Sequence, residues 1–328
     1  MKRTVLLVLL VLFASVAVSS CAVSAASRPS GGTPVPAAAA AVGYTRHTLA
    51  TASFSTANVD TGGTQASGFQ WYLNNAFGQV TPSSVAVFNA GGTVTLTGTP
   101  TNYQAQFSSV TVKSASPYFV GTAFGCGGYF TAEIAFNPAQ VNTANGWPAW
   151  WSMSVEVVVN QPSTVQWTGQ PTGYAHFSEV DFFEKDGASY PAQYDSTVWD
   201  TSGIYGVTCG GAWCQFGSGS EAPGPVDIVT PKTDFTLYHR IAALWVPATS
   251  TTSGYIKFYF DDVLVNSGVS WTQYVAASDA PPITTATPWA FGVLDTQHLV
   301  LFLGTGNSPI SVRSVDVWQG SGACNITY

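Results

Sequence analysis

Charge is what this chain has least of. Only 8% of its 328 residues are Asp, Glu, Lys or Arg, with ten cations against 17 anions. Three of the cations, Lys2, Arg3 and Arg28, lie before residue 42, whereas all 17 anions lie after it, so residues 43–328 carry about 7 − 17 = −10. A cation set this small excludes nucleic acid and an anionic membrane surface as partners. A neutral or cationic ligand fits better than a heavily sulfated polyanion. Helical signal is nearly absent as well: no long three-four apolar periodicity appears beyond the first residues, and 32 Gly and 19 Pro break the chain throughout. The four histidines show no metal-ligand spacing, and no metal site is expected.

Residues 1–28 read as a targeting segment. Lys2-Arg3 form a basic start, and Val5 to Val18 form an apolar run too short to span a bilayer comfortably. Val18-Ser19-Ser20-Cys21 reads like a bacterial lipobox with Cys21 as the lipid acceptor; ordinary cleavage near residues 22–26 is the alternative. Either reading takes the chain out of the cytoplasm, with no transmembrane helix in the mature form. Residues 29–42, rich in Ser, Pro, Gly and Ala, read as a flexible tether, and residues 43–328 as a single domain and a monomer. Without Cys21, four cysteines remain: Cys126, Cys209, Cys214 and Cys324. An even number suits disulfides in an oxidising compartment, and three pairings are open, one of them Cys209–Cys214 with Cys126–Cys324.

What the chain does have is many short runs of Val, Thr, Tyr, Phe and Trp separated by turn clusters, among them Ser152–Val159, Ser178–Glu184, Tyr238–Val246 and Val312–Trp318. This pattern predicts an all-β fold, a β-sandwich or jelly roll.

Against so little charge, Glu179-Val180-Asp181-Phe182-Phe183-Glu184 stands out. With five Glu and twelve Asp in the chain, chance supplies such a pattern on the order of a few times per thousand chains. A solvated acidic edge is the plain alternative. Alternation places Glu179 and Asp181 on one face of a strand and Glu184 on the other. A β-bulge at Phe182-Phe183 resets the phase, lines all three acids on one face and turns at least one Phe into the core. Two Glu arms leaning inward on a curved sheet then bring their carboxyl groups to about 5–6 Å, within reach of the about 5–5.5 Å that retaining glycosidases use.

Gly146-Trp147-Pro148-Ala149-Trp150-Trp151 packs three indoles into five positions. They form a core aromatic patch or, because all three cannot face inward, line a carbohydrate cleft.

Taken in order along the chain, four blocks resemble glycoside hydrolase family 16, the laminarinase/lichenase-like enzymes of the concanavalin-type jelly-roll group. They are Gly146–Met153, Glu179–Glu184, Tyr238–Trp245 with Tyr255–Val265, and Val312–Gln319. The resemblance implies a concave-face cleft and an exported retaining endo-glycosidase acting on β-1,3 or mixed β-1,3/1,4-glucan. It implies Glu179 as nucleophile, Asp181 as its helper and Glu184 as general acid/base, acting without a cofactor. Trp150, Trp151, His239, His176 and Gln297 are the expected substrate contacts, although His239 also reads as a satisfied core histidine. His176, three residues before Glu179, would sit at the strand's entrance, with a solvent position as the plain alternative. Where many relatives carry an Asp linked to a structural calcium, this chain has Arg313, which argues against calcium there. A galactanase or transglycosylase would use the same carboxylates, and a lectin-like binder would share the scaffold.

Overall fold

The structure is a computed structural model that describes residues 33–73, 82–97, 105–144, 147–159, 173–185, 193–204, 206–207, 214–217, 226–229, 233–274, 291–305 and 309–328. These belong to the compact unit Gly31–Tyr328; residues 1–32, which include the expected targeting segment and Cys21, lie outside the described residues.

The chain begins with a short helix, α1 (Ala37–Ala40), followed by β1 (Arg46–Thr51), β2 (Val59–Asp60), β3 (Trp71–Tyr72), β4 (Ala86–Phe88), β5 (Val94–Leu96), β6 (Ala105–Ser108) and β7 (Val110–Val112). Next come β8 (Phe119–Gly125), β9 (Gly128–Phe136), α2 (Pro138–Ala144), β10 (Ala149–Ser154), α3 (Val155–Val158), β11 (Tyr174–Glu184) and β12 (Gln193–Ile204). The remainder is β13 (Cys214–Gly217), β14 (Val226–Val229), β15 (His239–Val246), β16 (Gly254–Phe260), β17 (Val263–Trp271), β18 (His298–Thr305), β19 (Ile310–Gln319) and β20 (Ile326–Thr327).

The strands form two sheets. The first runs β17-β16-β15-β9-β19-β5-β4, with β1 also on β19; the second runs β13-β12-β11-β10-β18-β6-β3-β2, with β14 on β12 and the β7–β8 hairpin on β18. Among the described residues, all strand pairings are antiparallel except β2 with β3. This is the β-sandwich of jelly-roll type that the run pattern predicts.

Period-two alternation sorts the side chains between the sheets. On β18, Leu299, Leu301 and Leu303 enter the inter-sheet core, whereas Val300 and Phe302 point to the outer face. On β9, Phe130, Ala132, Ile134 and Phe136 enter the same core while Tyr129 packs on the outside. Both sheets bury part of their outer faces as well. A first cap joins Ala39 of α1 to Tyr44, Tyr129, Leu244 and Trp318, with Val35, Ala38 and Val42 packed against it. The flexible tether expected through residue 42 is corrected here: its second half folds onto the first sheet because its small apolar residues have an aromatic surface to cover.

At the position where the resemblance raised the question of calcium, Arg313 Nε lies 2.6 Å from Glu133 Oε2, and Arg240 Nη2 is 3.4 Å from Glu133 Oε1. Ser314 Oγ adds a bond of 3.2 Å to the same carboxylate. A calcium ion would meet two guanidinium groups around one buried acid, so these residues do not fit it.

Cys126 and Cys324 form a disulfide that closes a loop of 198 residues and ties the end of β8 to the C-terminal segment carrying β20. Cys209 and the side chain of Cys214 fall outside the described residues. Replacing both Cys126 and Cys324 by Ser is expected to cost about 2–5 kcal/mol, read as a lower denaturation midpoint in urea. An unchanged midpoint would mean that the tail is held without its bridge.

Candidate active site

Strand β11 carries the site, and a bulge in it sets the geometry. Against β12, Asp181 pairs with Thr197 and Glu184 with Asp195, so three steps on one strand face two on the other. Against β10, Asp181 pairs with Trp151 and Phe183 with Trp150, again with one residue extra on β11. Phe182 and Phe183 therefore both point inward, each fully buried. Phe182 stacks on Phe130 at 5.6 Å between centroids, and Phe183 packs on Tyr194 at 4.9 Å and Phe136 at 5.5 Å. Each burial contributes about 1.5–3 kcal/mol. The backbone irregularity is itself satisfied: Ser196 Oγ donates to the carbonyl of Phe182 at 2.9 Å.

With both rings inside, Glu179, Asp181 and Glu184 share the outer face of the second sheet. Glu179 and Glu184 are half-buried there and Asp181 is fully buried. Trp199 Nε1 donates to Asp181 Oδ2 at 2.8 Å, and Trp147 Nε1 donates to Glu184 Oε1 at 3.0 Å. Burial first, and then the charge of Glu184, push Glu179 up to about 8, while a hydrogen bond with Asp181 pulls it down. Burial also raises Asp181 well above the usual carboxylate range, reinforced by Glu184 and Glu179, against the bond from Trp199. This hydrogen bond lowers Glu179 and raises Asp181, so it favours the arrangement in which Asp181 donates and Glu179 accepts, against the burial that raises both. The three acids titrate as a set.

Tryptophans flank the row. Trp151, beside Asp181 on β10, is half-buried on the acids' face and stacks on Phe302 at 4.3 Å. Trp199, beside Glu179 on β12, is half-buried too, and its ring lies over Gly217 of β13, where a Cβ would come within 2.8 Å of it.

Four expected substrate contacts do not reach this face. Trp150 is fully buried in the core against Phe182, because alternation turns it opposite to Trp151. His176 is 1% exposed, with Nε2 2.6 Å from Asp200 Oδ1, on the inward side of β11. Gln297 straps the edge of β11: its Oε1 accepts from Ser178 N–H at 3.1 Å and its Nε2 donates to the carbonyl of His176 at 2.9 Å. His239 sits on the first sheet, stacked on Phe260, with Nδ1 2.7 Å from Asp261 Oδ2 in the β16–β17 turn. Asp261 and Asp262 both have positive φ in that turn, and the histidine fastens it.

Three residues on this face were missed by sequence reasoning. Trp199 and Asp195, which is buried opposite Glu184, lie on β12, a polar strand that carries little apolar signal. Trp147 was noted only as part of an aromatic cluster, and it is the indole that reaches Glu184. Periodicity alone would not find them, since each depends on cross-strand register. Among the described residues, no group of three His, Cys, Asp or Glu is placed to hold a metal ion.

No family model matches the chain. No curated protein matches it either. Among solved structures, it is similar to the kappa-carrageenase from Pseudoalteromonas carrageenovora in complex with an oligotetrasaccharide of kappa-carrageenan, at 14% identity over 73% of this chain and 84% of that one, with a TM-score of 0.41. The endo-1,3-beta-glucanase from Streptomyces sioyaensis gives 13% identity, 76% and 81% coverage, and a TM-score of 0.40. Beta-agarase B from Zobellia galactanivorans gives 11%, 78%, 83% and 0.42. At such identities and TM-scores these likenesses carry no argument about activity or substrate.

The acids make a stability prediction. Glu179 and Asp181 bind protons more tightly in the fold than in the unfolded chain. From the ordinary carboxylate range up to about pH 8, the folded state therefore holds more protons and loses stability as pH rises. Glu179→Gln is expected to raise Tm relative to the unsubstituted protein at pH 8, with the gap closing toward pH 4. A gap independent of pH would mean that the acids are not coupled through burial.

Proposed function

We propose that this protein is an exported retaining glycosidase that hydrolyses β-linked polysaccharide, with β-1,3 or mixed β-1,3/1,4-glucan as its substrate. The observation that carries this reading is the bulge that sets Glu179, Asp181 and Glu184 on one face, between half-buried indoles. A retaining mechanism needs an ionised nucleophile and a protonated acid close together. A binding protein has no need to bear the mutual repulsion of three such acids.

In the first step the Glu179 carboxylate attacks the anomeric carbon while Glu184 gives its proton to the departing glycosidic oxygen. A covalent glycosyl ester forms and the bond to the leaving sugar breaks. In the second step Glu184, now ionised, takes a proton from water. The resulting oxygen nucleophile displaces Glu179, restoring both side chains and retaining the anomeric configuration. Asp181 keeps its proton and donates a hydrogen bond to Glu179, which opposes the burial and the Glu184 charge that raise this carboxyl and so favours its ionised, oriented form for attack. Trp199 holds Asp181 in turn. Trp147 orients Glu184. Trp151 and Trp199 offer flat apolar faces to the C–H faces of sugar rings. The chemistry needs no metal or cofactor.

Export is supported by the Cys126–Cys324 bridge, since such bridges persist in oxidising compartments, and by the leader-like first 28 residues. Among the described residues no helix is long and apolar enough to cross a membrane. The reading is of a monomer, either secreted or held at the envelope through lipid on Cys21.

Incubation with laminarin, lichenan, agarose and carrageenan tests the proposal. New reducing ends are expected from a glucan, with Glu184→Gln slower by about 10²- to 10⁴-fold and Glu179→Gln inactive while still folded by circular dichroism. Binding without release of reducing ends would make the protein a lectin. Activity that survives in Glu179→Gln would remove Glu179 from the mechanism.

A further inference from the structure

The acids' face of the second sheet is closed on one side. Val300 and Phe302 of β18 point to that face, yet both are fully buried. Val155 and Val158 of α3, Val110 of β7 and Phe119 of β8 cover them in a separate apolar cluster. Trp151 and Met153 of β10 pack against its near edge and are only partly buried.

This wall is fastened on three sides. Glu156 of α3 has its Oε1 2.7 Å from His298 Nδ1 of β18, and its Oε2 accepts from Ser154 Oγ at 2.7 Å. The C-terminal β20 pairs with β8, and Phe119 meets Tyr328 edge-on at 5.0 Å. The Cys126–Cys324 bridge ties the end of β8 to the segment leading into β20. The wall is thus a covalently and electrostatically braced part of the sandwich.

Its position decides what can bind. Nucleophile and acid must flank the scissile bond from opposite faces of the sugar ring, so the polysaccharide axis crosses the line joining Glu179 and Glu184. That line follows β11, and the polysaccharide therefore crosses the strands. Toward β12 and β13 it meets the half-buried ring of Trp199 lying over Gly217. Toward β10 and β18 it meets Trp151 and then the wall. From β11 to β18 is two strand spacings, about 9.5 Å, which is about the length of two sugar rings.

We propose that the wall over β18 makes the site a chain-end site, which takes one or two sugars on the β10 side and releases them from a polysaccharide terminus. This rests on the glycosidase reading and departs from the internal cleavage that the family resemblance implied. A chain threaded through the cleft would have to pass through the packed cluster around Phe302, whereas a terminus stops against it.

The test follows the products of the unsubstituted protein on whichever of the four polysaccharides it hydrolyses. One- and two-sugar products are expected to exceed longer ones early in the reaction by about tenfold or more, the discrimination a shaped apolar pocket achieves. Viscosity should lag behind reducing-end release, and the same polysaccharide cross-linked into insoluble dyed beads should lose little dye. Long early products, a rapid fall in viscosity and dye release would overturn the chain-end site and leave the glycosidase reading standing. No reducing ends from any of the four substrates would overturn both.

Discussion

Two adjacent phenylalanines that must both be buried hold this structure's site in place. In a regular strand, neighbours point to opposite faces, so Phe182 and Phe183 cannot share the core without an extra residue in the ladder. The first sheet supplies Phe130 and Phe136 as partners for the two rings, and β12 supplies Ser196 for the displaced carbonyl. An unbulged β11 would bring Phe183 into solvent and Glu184 into the apolar interior, where an unpaired carboxylate costs several kcal/mol. Hydrophobic burial and charge desolvation thus act on the same irregularity with the same sign. The arrangement of the acids is a consequence of core packing.

That arrangement is costly in itself. Glu179 and Asp181 are both pushed upward by burial and by their neighbours, and the protein tolerates this because β11 is an interior strand with ladders on both sides. The two indole donors, Trp199 and Trp147, supply polar contacts to Asp181 and Glu184. Arg240 and Arg313 serve Glu133 on the other sheet, and Lys257 lies over Tyr255 there.

The sandwich also covers both of its outer faces in part, one with α1 and the segment around it, the other with α3 and the β7–β8 hairpin. The second cover turns an open sheet into a one-sided groove. Its disulfide brace gives the position of the C-terminus a consequence for the site that lies two strands away from it.

The bulge was legible in the sequence because Glu-x-Asp-x-x-Glu around two phenylalanines admits one phase that keeps acids out and rings in. The sandwich was legible from short β-rich runs between turns. The fate of Trp150, His176, His239 and Gln297 was not, because it depends on which sheet a strand joins and which way its first residue points. Strand β12 was overlooked for a related reason: its Ser, Thr and Asp residues line a polar face and leave no apolar alternation to read. Residue type and local spacing alone determined that three acids would be presented together on β-structure. Only the tertiary structure decided which neighbours they met, because cross-strand register and the covers on the outer faces arise from contacts between segments far apart in the chain.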